Sequence, residues 1–422
     1  MSKLCEQIIV AILLAVIVGV PLILDVRIYS VFDLSKITLL YLLVFSAIIV
    51  FCIKQMIARD RFNNNPLMLS LGCLLAVSCF ATIFSINPLA SLLGGYKRYD
   101  GLASLIIYLC LFFLTQYVKK EMIGLFINAI IISASINVVY GILQYCGIDY
   151  FQWSTNYGGR IFGTIGHPGF FSAYLIMVLP LVYYQIIKGR WYFIIALILI
   201  LTVFYLTKTR ASFLGLIISS SCFLGLLGKD LLVVYKYRLI SIFSIVLIIT
   251  VVMSLRLEMN PVSRIVEDIK IEDKKVKLLG TTKARYWNVL VAIEIIKDYP
   301  VLGIGYGNIN TVYLEYINKV IKKTGGEGYS FEWQDRIHVS PMDTLVRIGI
   351  LGGLATLWFM YSYGRMMYVH LVNNRILIAS LCSAVVAYWG QNLFVFGHVP
   401  NLTLLWVLIG LSVISCEKDT VT

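Results

Sequence analysis

Arg336-Ile-His338 is the segment whose residue types most directly indicate chemistry. It closes a polar loop at residues 258–340 and runs straight into an apolar stretch that begins near Pro341. An arginine costs roughly 2.5 to 3.5 kcal/mol at the middle of a membrane helix, so charged groups beside such a helix usually mark a site or a pathway. Imidazole can also exchange a proton near neutral pH. The segment therefore predicts a functional site where the loop meets the next helix.

The composition sets the class of protein that must position this site. Hydrophobic residues make up 59% of the chain and charged residues only 14%, and the mean hydropathy is +0.86. These values exclude a soluble globular domain. They predict an all-α integral membrane protein, because stretches of about 20 apolar residues can cross a bilayer as helices. The twelve apolar stretches are 7–24, 37–53, 66–84, 101–118, 122–145, 168–187, 191–206, 210–227, 238–257, 341–362, 375–396 and 399–415.

The chain divides into three parts. Residues 1–257 are predicted to hold transmembrane helices 1 to 9, residues 258–340 a large extracytoplasmic loop or lid, and residues 341–422 helices 10 to 12 with a short cytoplasmic tail. Alternating short loops differ in their Lys and Arg content, and the positive-inside rule then places both termini in the cytoplasm. Because no small-residue cleavage signal follows the first apolar stretch, we expect a retained helix in the cytoplasmic (inner) membrane.

The large loop contains four recognisable segments. Glu267–Lys277 mixes acids and lysines, which is typical of a solvated linker or an exposed helix. Apolar residues at helical spacing after Thr281 predict an amphipathic helix that Pro300 ends. The glycines of Pro300–Asn308 follow no strand, so a turn packed near the membrane is favoured over a nucleotide loop. Glycines and aromatic residues at 324–333 suit either a sugar ligand or a loop packed on the helices.

The net charge and the cysteines exclude other classes. The net charge of +13 is dispersed and forms no nucleic-acid motif, so anionic lipid headgroups are the expected partners of these residues. The nine cysteines lie mainly inside apolar stretches, which argues against a disulfide framework or a cysteine metal site. No D-x-D pair lies in the loops predicted outside, although carboxylates from distant segments could still converge. We predict no metal and no cofactor, because arginines can carry the charge of a leaving diphosphate.

Five short segments, each beside or opening an apolar stretch, carry a family resemblance. Together, in this order and spacing, they resemble the O-antigen ligase and O-antigen polymerase superfamily of bacterial membrane glycan transferases, and the resemblance covers nearly the whole chain. It implies a donor glycan linked to undecaprenyl diphosphate and an acceptor hydroxyl. The segments are Tyr96-Lys-Arg-Tyr-Asp-Gly101, Arg160-Ile-Phe-Gly-Thr-Ile-Gly-His-Pro-Gly169, Thr207-Lys-Thr-Arg-Ala-Ser212, Arg285-Tyr-Trp with Tyr299-Pro-Val-Leu-Gly-Ile-Gly-Tyr-Gly-Asn308, and His338 with Arg347-Ile-Gly-Ile-Leu-Gly352.

Two segments depart from the superfamily's usual pattern. This chain has His167-Pro-Gly169 where Asn-Pro-Asn is common, which weakens the expectation of a polar role there. It also has His338-Val339 where His-Asn is common, so an amide beside the histidine is missing.

The residue types also support glycan transfer directly. The planar fork of arginine fits phosphate oxygens, and fixed guanidiniums stabilise the charge that builds up on a departing diphosphate. A histidine can take the proton of an attacking hydroxyl. We therefore predict His338, Arg210 and Arg285 as catalytic residues. The predicted substrate-binding residues are Arg160, Lys97, Arg98, Trp287 and Arg347.

Each of these residues also has a purely structural interpretation. Arg210 could anchor its helix at the interface, Arg285 could pair with an acid or a lipid headgroup, and His338 could hydrogen-bond a helix start. His167 is interpreted as a structural loop residue, and Arg160, Lys97 and Arg98 remain open between both roles. Arg347 lies four residues after Asp343, so the two could form an ion pair or line the substrate cavity.

The sequence thus predicts a metal-independent, inverting membrane glycosyltransferase of the ligase or polymerase type, active on the outer side of the membrane. Its partners would be an undecaprenyl-diphosphate-linked glycan, membrane lipid, and an acceptor that is a glycan, a lipid, a wall polymer or a protein. The sequence leaves open which acceptor and which of the two activities applies. A transporter or flippase for lipid-linked oligosaccharide would instead show inverted repeats and charges at mid-membrane. A peptidoglycan-type glycosyltransferase is a further alternative, although its motifs are not found.

Overall fold

The computed structural model describes residues 1–58, 65–95, 97–153, 157–256, 269–272, 275–278, 280–326, 329 and 333–417. Some positions used in the sequence predictions lie outside these ranges. They are Tyr96, Glu267 and parts of the 258–279 and 324–333 segments.

The described part of the chain is almost entirely helical. Ten helices precede the predicted lid: α1 (Ser2–Leu22), α2 (Asp33–Ala58), α3 (Met68–Ile83), α4 (Pro88–Leu93), α5 (Leu102–Thr115), α6 (Ile123–Tyr145), α7 (Pro168–Ile187), α8 (Phe193–Leu206), α9 (Arg210–Val234) and α10 (Lys236–Arg256). Two short strands follow, β1 (Ile269–Glu272) and β2 (Lys275–Leu278). The remaining helices are α11 (Gly280–Asp298), α12 (Ile309–Thr324), α13 (Ser340–Val369), α14 (Arg375–Asn392) and α15 (Val399–Cys416).

Each of the twelve predicted apolar stretches coincides with one of these helices. Eight helical segments in the described ranges are long and apolar enough to cross a membrane, and α3, α5 and α8 are shorter apolar helices. The structure thus agrees with a multi-pass helical membrane protein. The number of twelve spans and the orientation of the termini remain predictions.

The core of the bundle forms around α7 and α15, whose most apolar windows are each 94% buried. Both helices carry large apolar residues on every side, as expected of a helix that is surrounded by protein. Helix α14 packs along α7 and α9, and α1 packs along α2. Helix α10, with 11% of its window buried, lies at the edge.

Helices α11 and α12 pack against each other and share a small core of their own. The hydroxyl of Tyr313 donates to Asn288 Oδ1 at 2.8 Å inside this core. Helix α11 confirms that a helix follows Thr281, although its buried face is formed by Trp287, Val291 and Ile295. The sequence analysis did not predict α12. We call α11 and α12 the lid helices. We call the end of the bundle where α7, α9 and α15 begin, beside the lid helices, the loop face.

One prediction within the loop is wrong for the residues that are described. Ile269–Glu272 and Lys275–Leu278 form an antiparallel pair of strands, with Ile269 opposite Leu278, rather than a linker or a helix. The reason is the alternation of apolar and charged residues in both segments, because a period of two is typical of strands.

Helix α13 is broken at Ile348 and Gly349, where the backbone leaves the helical region. The glycine-rich turn between the lid helices fills this break. The amides of Ile304 and Gly305 donate to the carbonyls of Val346 and Arg347 at 2.9 and 3.0 Å. From the other side of the break, the amide of Ile350 donates to the carbonyl of Pro300 at 2.8 Å. Backbone groups that would otherwise be unpaired are thereby satisfied.

Glycine is required where the turn and the broken helix touch. Gly303 and Gly349 have φ angles of +68° and +66°. A Cβ atom on Gly303 would lie 2.4 Å from the carbonyl oxygen of Val346, and one on Gly349 would lie 2.0 Å from that of Val301. The segment predicted as a packed turn is thus confirmed as one.

Candidate functional site

A cavity of about 650 Å³ opens at the loop face between the helix bundle and α11. It brings together side chains that are far apart in the sequence, from the 29–33, 97–98, 153–170, 208–211 and 394–398 segments and from the lid side. Six of the eight predicted site residues line it: His338, Arg210, Arg285, Arg160, Lys97 and Arg98.

The cavity wall is strongly cationic. It is lined by six Lys and Arg side chains, of which Lys208 is one that the sequence analysis did not select. Among the lining residues, Asp33 is the single carboxylate. Because cations outnumber carboxylates among the lining residues, the lining carries an excess of positive charge in a partly enclosed space, which favours an anionic ligand.

Three helices begin at this wall and add to the positive potential. His167, Thr209 and His398 are the N-cap residues of α7, α9 and α15, and all three line the cavity. The N-terminus of a helix carries partial positive charge and amides that are not bonded within the helix. Such ends bind phosphate groups, and here they lie beside guanidinium and ammonium groups.

The start of α7 is fixed by two amide side chains from neighbouring helices. Gln391 Nε2 donates to the carbonyl of Gly169 at 2.7 Å. Asn401 Nδ2 donates to the carbonyl of Phe170 at 3.1 Å. These bonds hold the first turn of α7 against α14 and α15, so this wall of the cavity is rigid.

Arg160 and Arg98 are held by the protein at the cavity wall. Arg160 donates through Nε to the carbonyl of Thr207 at 2.7 Å and through Nη2 to Thr209 Oγ1 at 2.9 Å. It thereby ties its loop to the start of α9. Arg98 forms a two-point ion pair with Asp335, at 2.6 and 3.4 Å. Both arginines have a fixed geometry, as anion recognition requires.

His338 lies at the other side of the cavity, two residues before α13 begins. Its ring makes an edge contact with Phe396, with 5.0 Å between centroids. Its backbone has a φ of +61°, a region that residues other than glycine rarely adopt. Burial lowers the pKa of His338 to about 4. The imidazole is therefore neutral at pH 7 and able to accept a proton.

His167, interpreted from the sequence as structural, does cap a helix, yet it also lines the cavity. Its Nδ1 accepts a hydrogen bond from the amide of Gly169 at 3.0 Å. Burial lowers the pKa of His167 to about 3, so its proton is carried by Nε2. The residue can thus donate a hydrogen bond to a ligand without carrying a charge.

Asp33 and His398 form a buried pair that sequence reasoning missed. His398 Nε2 lies 2.5 Å from Asp33 Oδ1, and the ring stacks on Phe170 at 4.4 Å. Its Nδ1 has no hydrogen-bond partner among the described residues. The residue whose amide would donate a capping hydrogen bond to this Nδ1 is Pro400, and proline has no amide hydrogen. Because 365 positions separate the pair in the chain, no local signal could have found it.

Two of the predicted substrate-binding residues are placed elsewhere. Trp287 is 6% exposed, belongs to the core of the lid helices and contacts Tyr329 with 5.3 Å between ring centroids. Arg347 is not among the cavity-lining residues. Its Nη1 lies 3.4 Å from Asp343 Oδ2, so the ion-pair interpretation of these two residues holds.

Arg347 and Asp343 belong to a buried ion cluster that also contains Asp100 and Arg336. Arg336 is 3% exposed and contacts Asp100 as well as Asp343, where the Nη1 to Oδ2 distance is 2.6 Å. Arg347 Nη2 donates to the carbonyl of Asp100 at 2.8 Å. With two acids and two arginines, the cluster is balanced in charge. We call these four residues the ion quartet.

Aromatic rings cover the part of the cavity that lies beside the cations. Phe32 contacts Trp153 with 5.1 Å between centroids, and Trp153 contacts Phe162 at 5.6 Å. Phe170 contacts Phe396 at 5.2 Å. All five rings line the cavity. Such rings offer broad apolar surfaces to a ligand whose anionic part lies against the arginines.

Within the described ranges, no group of three or more His, Cys, Asp or Glu side chains could hold a metal ion.

Part of this chain matches a known family model. Residues 195–357 match the family model described as O-antigen ligase. A search of curated proteins gave no match. The matched range contains Lys208, Arg210, Arg285 and His338 of the cavity. The match confirms the resemblance to the O-antigen ligase and polymerase superfamily over this range.

Proposed function

We propose, from the match of residues 195–357 to the family model described as O-antigen ligase, that the protein is a membrane glycosyltransferase. It would transfer a glycan from undecaprenyl diphosphate to an acceptor hydroxyl on the outer side of the cytoplasmic membrane. The observation that supports this most is the cavity with six cations, three helix N-termini and one lining carboxylate.

The cations supply the binding of the donor diphosphate. Arg210 and Arg285 would hold the diphosphate, with Arg160, Lys208, Lys97 and Arg98 around them. Charge on the diphosphate increases as the bond to the sugar breaks, so these groups bind the transition state more tightly than the ground state. We propose that they carry this charge without a metal ion.

His338 is proposed to act as the base. The acceptor oxygen attacks the anomeric carbon of the donor sugar while its proton passes to the neutral imidazole. The bond between the anomeric carbon and the diphosphate oxygen breaks, and undecaprenyl diphosphate leaves with the bonding electrons. Attack opposite to the leaving group inverts the anomeric centre. In this scheme His338→Ala lowers kcat by roughly 10² to 10⁴-fold, the usual range for general acid–base groups, and leaves donor binding intact.

A carrier for lipid-linked oligosaccharide is the second candidate. The break in α13 favours it, because discontinuous helices are typical of transporters. However, that break is filled by the chain's own 300–305 turn rather than by a cavity. The lining cations also gather where α7, α9 and α15 begin, at one end of the bundle. Both observations support the enzyme.

Purified protein incubated with a synthetic undecaprenyl-diphosphate oligosaccharide separates the two functions. We expect products with a larger mass when an acceptor is present, free undecaprenyl diphosphate in equal amount, and the same rate in EDTA. A donor that is recovered unchanged but moved across a vesicle membrane would support the carrier. Loss of transfer in EDTA, restored by Mg²⁺ or Mn²⁺, would refute the proposal that arginine replaces the metal.

A further inference from the structure

Asp343 makes hydrogen bonds to both chain neighbours of His338. Its Oδ1 accepts from the amide of Ile337 at 3.2 Å. Its own amide donates to the carbonyl of Val339 at 2.9 Å. The backbone on each side of the histidine is therefore tied to one residue of the first turn of α13.

This attachment matters because His338 has an unfavourable backbone conformation. With a φ of +61°, the residue needs its surroundings to hold it in place. A strained residue of this kind relaxes when the bonds that hold it are removed, and its side chain then points in another direction.

Arg336 in turn fixes the carboxylate of Asp343. The guanidinium is 3% exposed and binds Asp343 Oδ2 at 2.6 Å, so Oδ1 remains available for the amide of Ile337. Arg347 approaches the same oxygen, Oδ2, at 3.4 Å. The ion quartet thus holds one carboxylate oxygen and presents the other to the turn that carries His338.

We propose that Asp343 is a positioning residue for His338: it holds residues 337 to 339 in the turn that places the imidazole at the cavity. This inference rests on the proposed function, because it assumes that His338 is the base. Asp343 itself does not line the cavity, so its effect on transfer would pass through the histidine.

A double-mutant cycle tests this. Asp343→Asn should lower kcat by roughly 10 to 10²-fold, the scale of a misplaced reacting group, with an unchanged KM for the donor. In the His338→Ala background the same change should have no further effect on the residual rate, because the group that it positions is gone. If the two losses multiply instead, or if Asp343→Asn alone is harmless, the proposal is wrong.

Two further variants protect the test against misfolding. Asp343→Glu keeps the charge that Arg336 needs but moves the carboxylate by one methylene, so it should fold and still show the loss of kcat; if Asp343→Asn fails to accumulate, Asp343→Glu replaces it in the cycle. Asp298→Asn removes an acid that pairs with Lys319 on the lid helices, at 2.8 Å, and controls for the change in charge.

The cycle also separates this inference from the proposed function. Wild-type protein that fails to transfer glycan refutes the function itself. Wild-type transfer with a fully active His338→Ala variant refutes the base and with it the positioning role. When wild-type protein transfers glycan and His338→Ala is impaired, the Asp343 comparison tests the positioning role alone.

Discussion

Two groups of arginines lie at the loop face and differ in how their charge is balanced. Six cations line the cavity with one carboxylate, Asp33, among the lining residues. In the ion quartet, two arginines face two aspartates, and Arg336 is almost completely buried. Cations outnumber carboxylates among the residues that line the cavity, although Arg98 pairs with Asp335. In the ion quartet the two charges are equal in number. The balance of cations and acids is therefore the feature in which the two groups differ most.

Burial also distinguishes the ion quartet from the cations of the cavity. A buried ion pair does little for net stability, but removing one partner leaves the other as an uncompensated charge. At the cavity wall, where cations outnumber carboxylates among the lining residues, we expect the removal of one cation to cost less stability. Stability and donor binding should therefore respond in opposite ways in the two groups.

The largest expected difference is in stability. Arg336→Ala leaves Asp343, which is 3% exposed, without its nearest cation. We expect a loss of about 3 to 5 kcal/mol in the free energy of unfolding, the range for breaking a buried pair. Arg210→Ala is the matched control, with an expected change below about 1 kcal/mol. Thermal unfolding in detergent measures both, and equal losses would contradict the division into two groups.

Donor binding should be weakened by changes in the cavity group rather than by changes in the ion quartet. Arg210→Ala and Arg285→Ala should each weaken binding of a lipid diphosphate by roughly tenfold or more, because a charge-assisted bond contributes about 1.5 to 3 kcal/mol. Arg→Lys should restore little, since an ammonium lacks the planar fork. Titration with undecaprenyl diphosphate gives the dissociation constants. Normal binding by both alanine variants would remove these arginines from the site.

The smallest effect concerns pH. Burial lowers the pKa of His338 to about 4, so the imidazole stays neutral, and competent as a base, at any pH above that value. We expect kcat/KM to be level from pH 7 to pH 5 and to fall only as the pH approaches 4, because this ratio reports the free enzyme. The residual activity of His338→Ala should lack that fall. An acid limb centred near 6.5 would show an unperturbed histidine and contradict the burial.

Much of the site could be predicted because it depends on where helices end. Arg160, Arg210, Arg285 and His338 lie beside the ends of apolar stretches or in the polar loop, and the structure brings all four to one cavity. The positions of these helices could also be predicted from the sequence, since each apolar stretch forms a helix. These features follow from the length and polarity of segments, which the sequence states directly.

The placement of the residues outside the cavity depends on long-range contacts. The spacing of Asp343 and Arg347 allowed an ion pair to be predicted. The contacts of both arginines with Asp100, more than two hundred residues away, could not be predicted. Trp287 and Arg285 are two positions apart on α11, so they point to different sides of the helix. Which side faces the cavity is decided by the packing of α12, which the sequence analysis did not foresee.

The way in which the turn at residues 300–305 completes α13 has a consequence for exchanging parts between relatives. The turn precedes α13 in the chain, yet its amides and carbonyls pair with those of residues 346–351. A chimera that grafts a foreign lid onto this bundle, cut at the start of α13, would leave those backbone groups facing an unfamiliar loop. The turn and the first half of α13 must therefore be exchanged together. Chimeras should fold when the crossover lies after residue 351 or before residue 300.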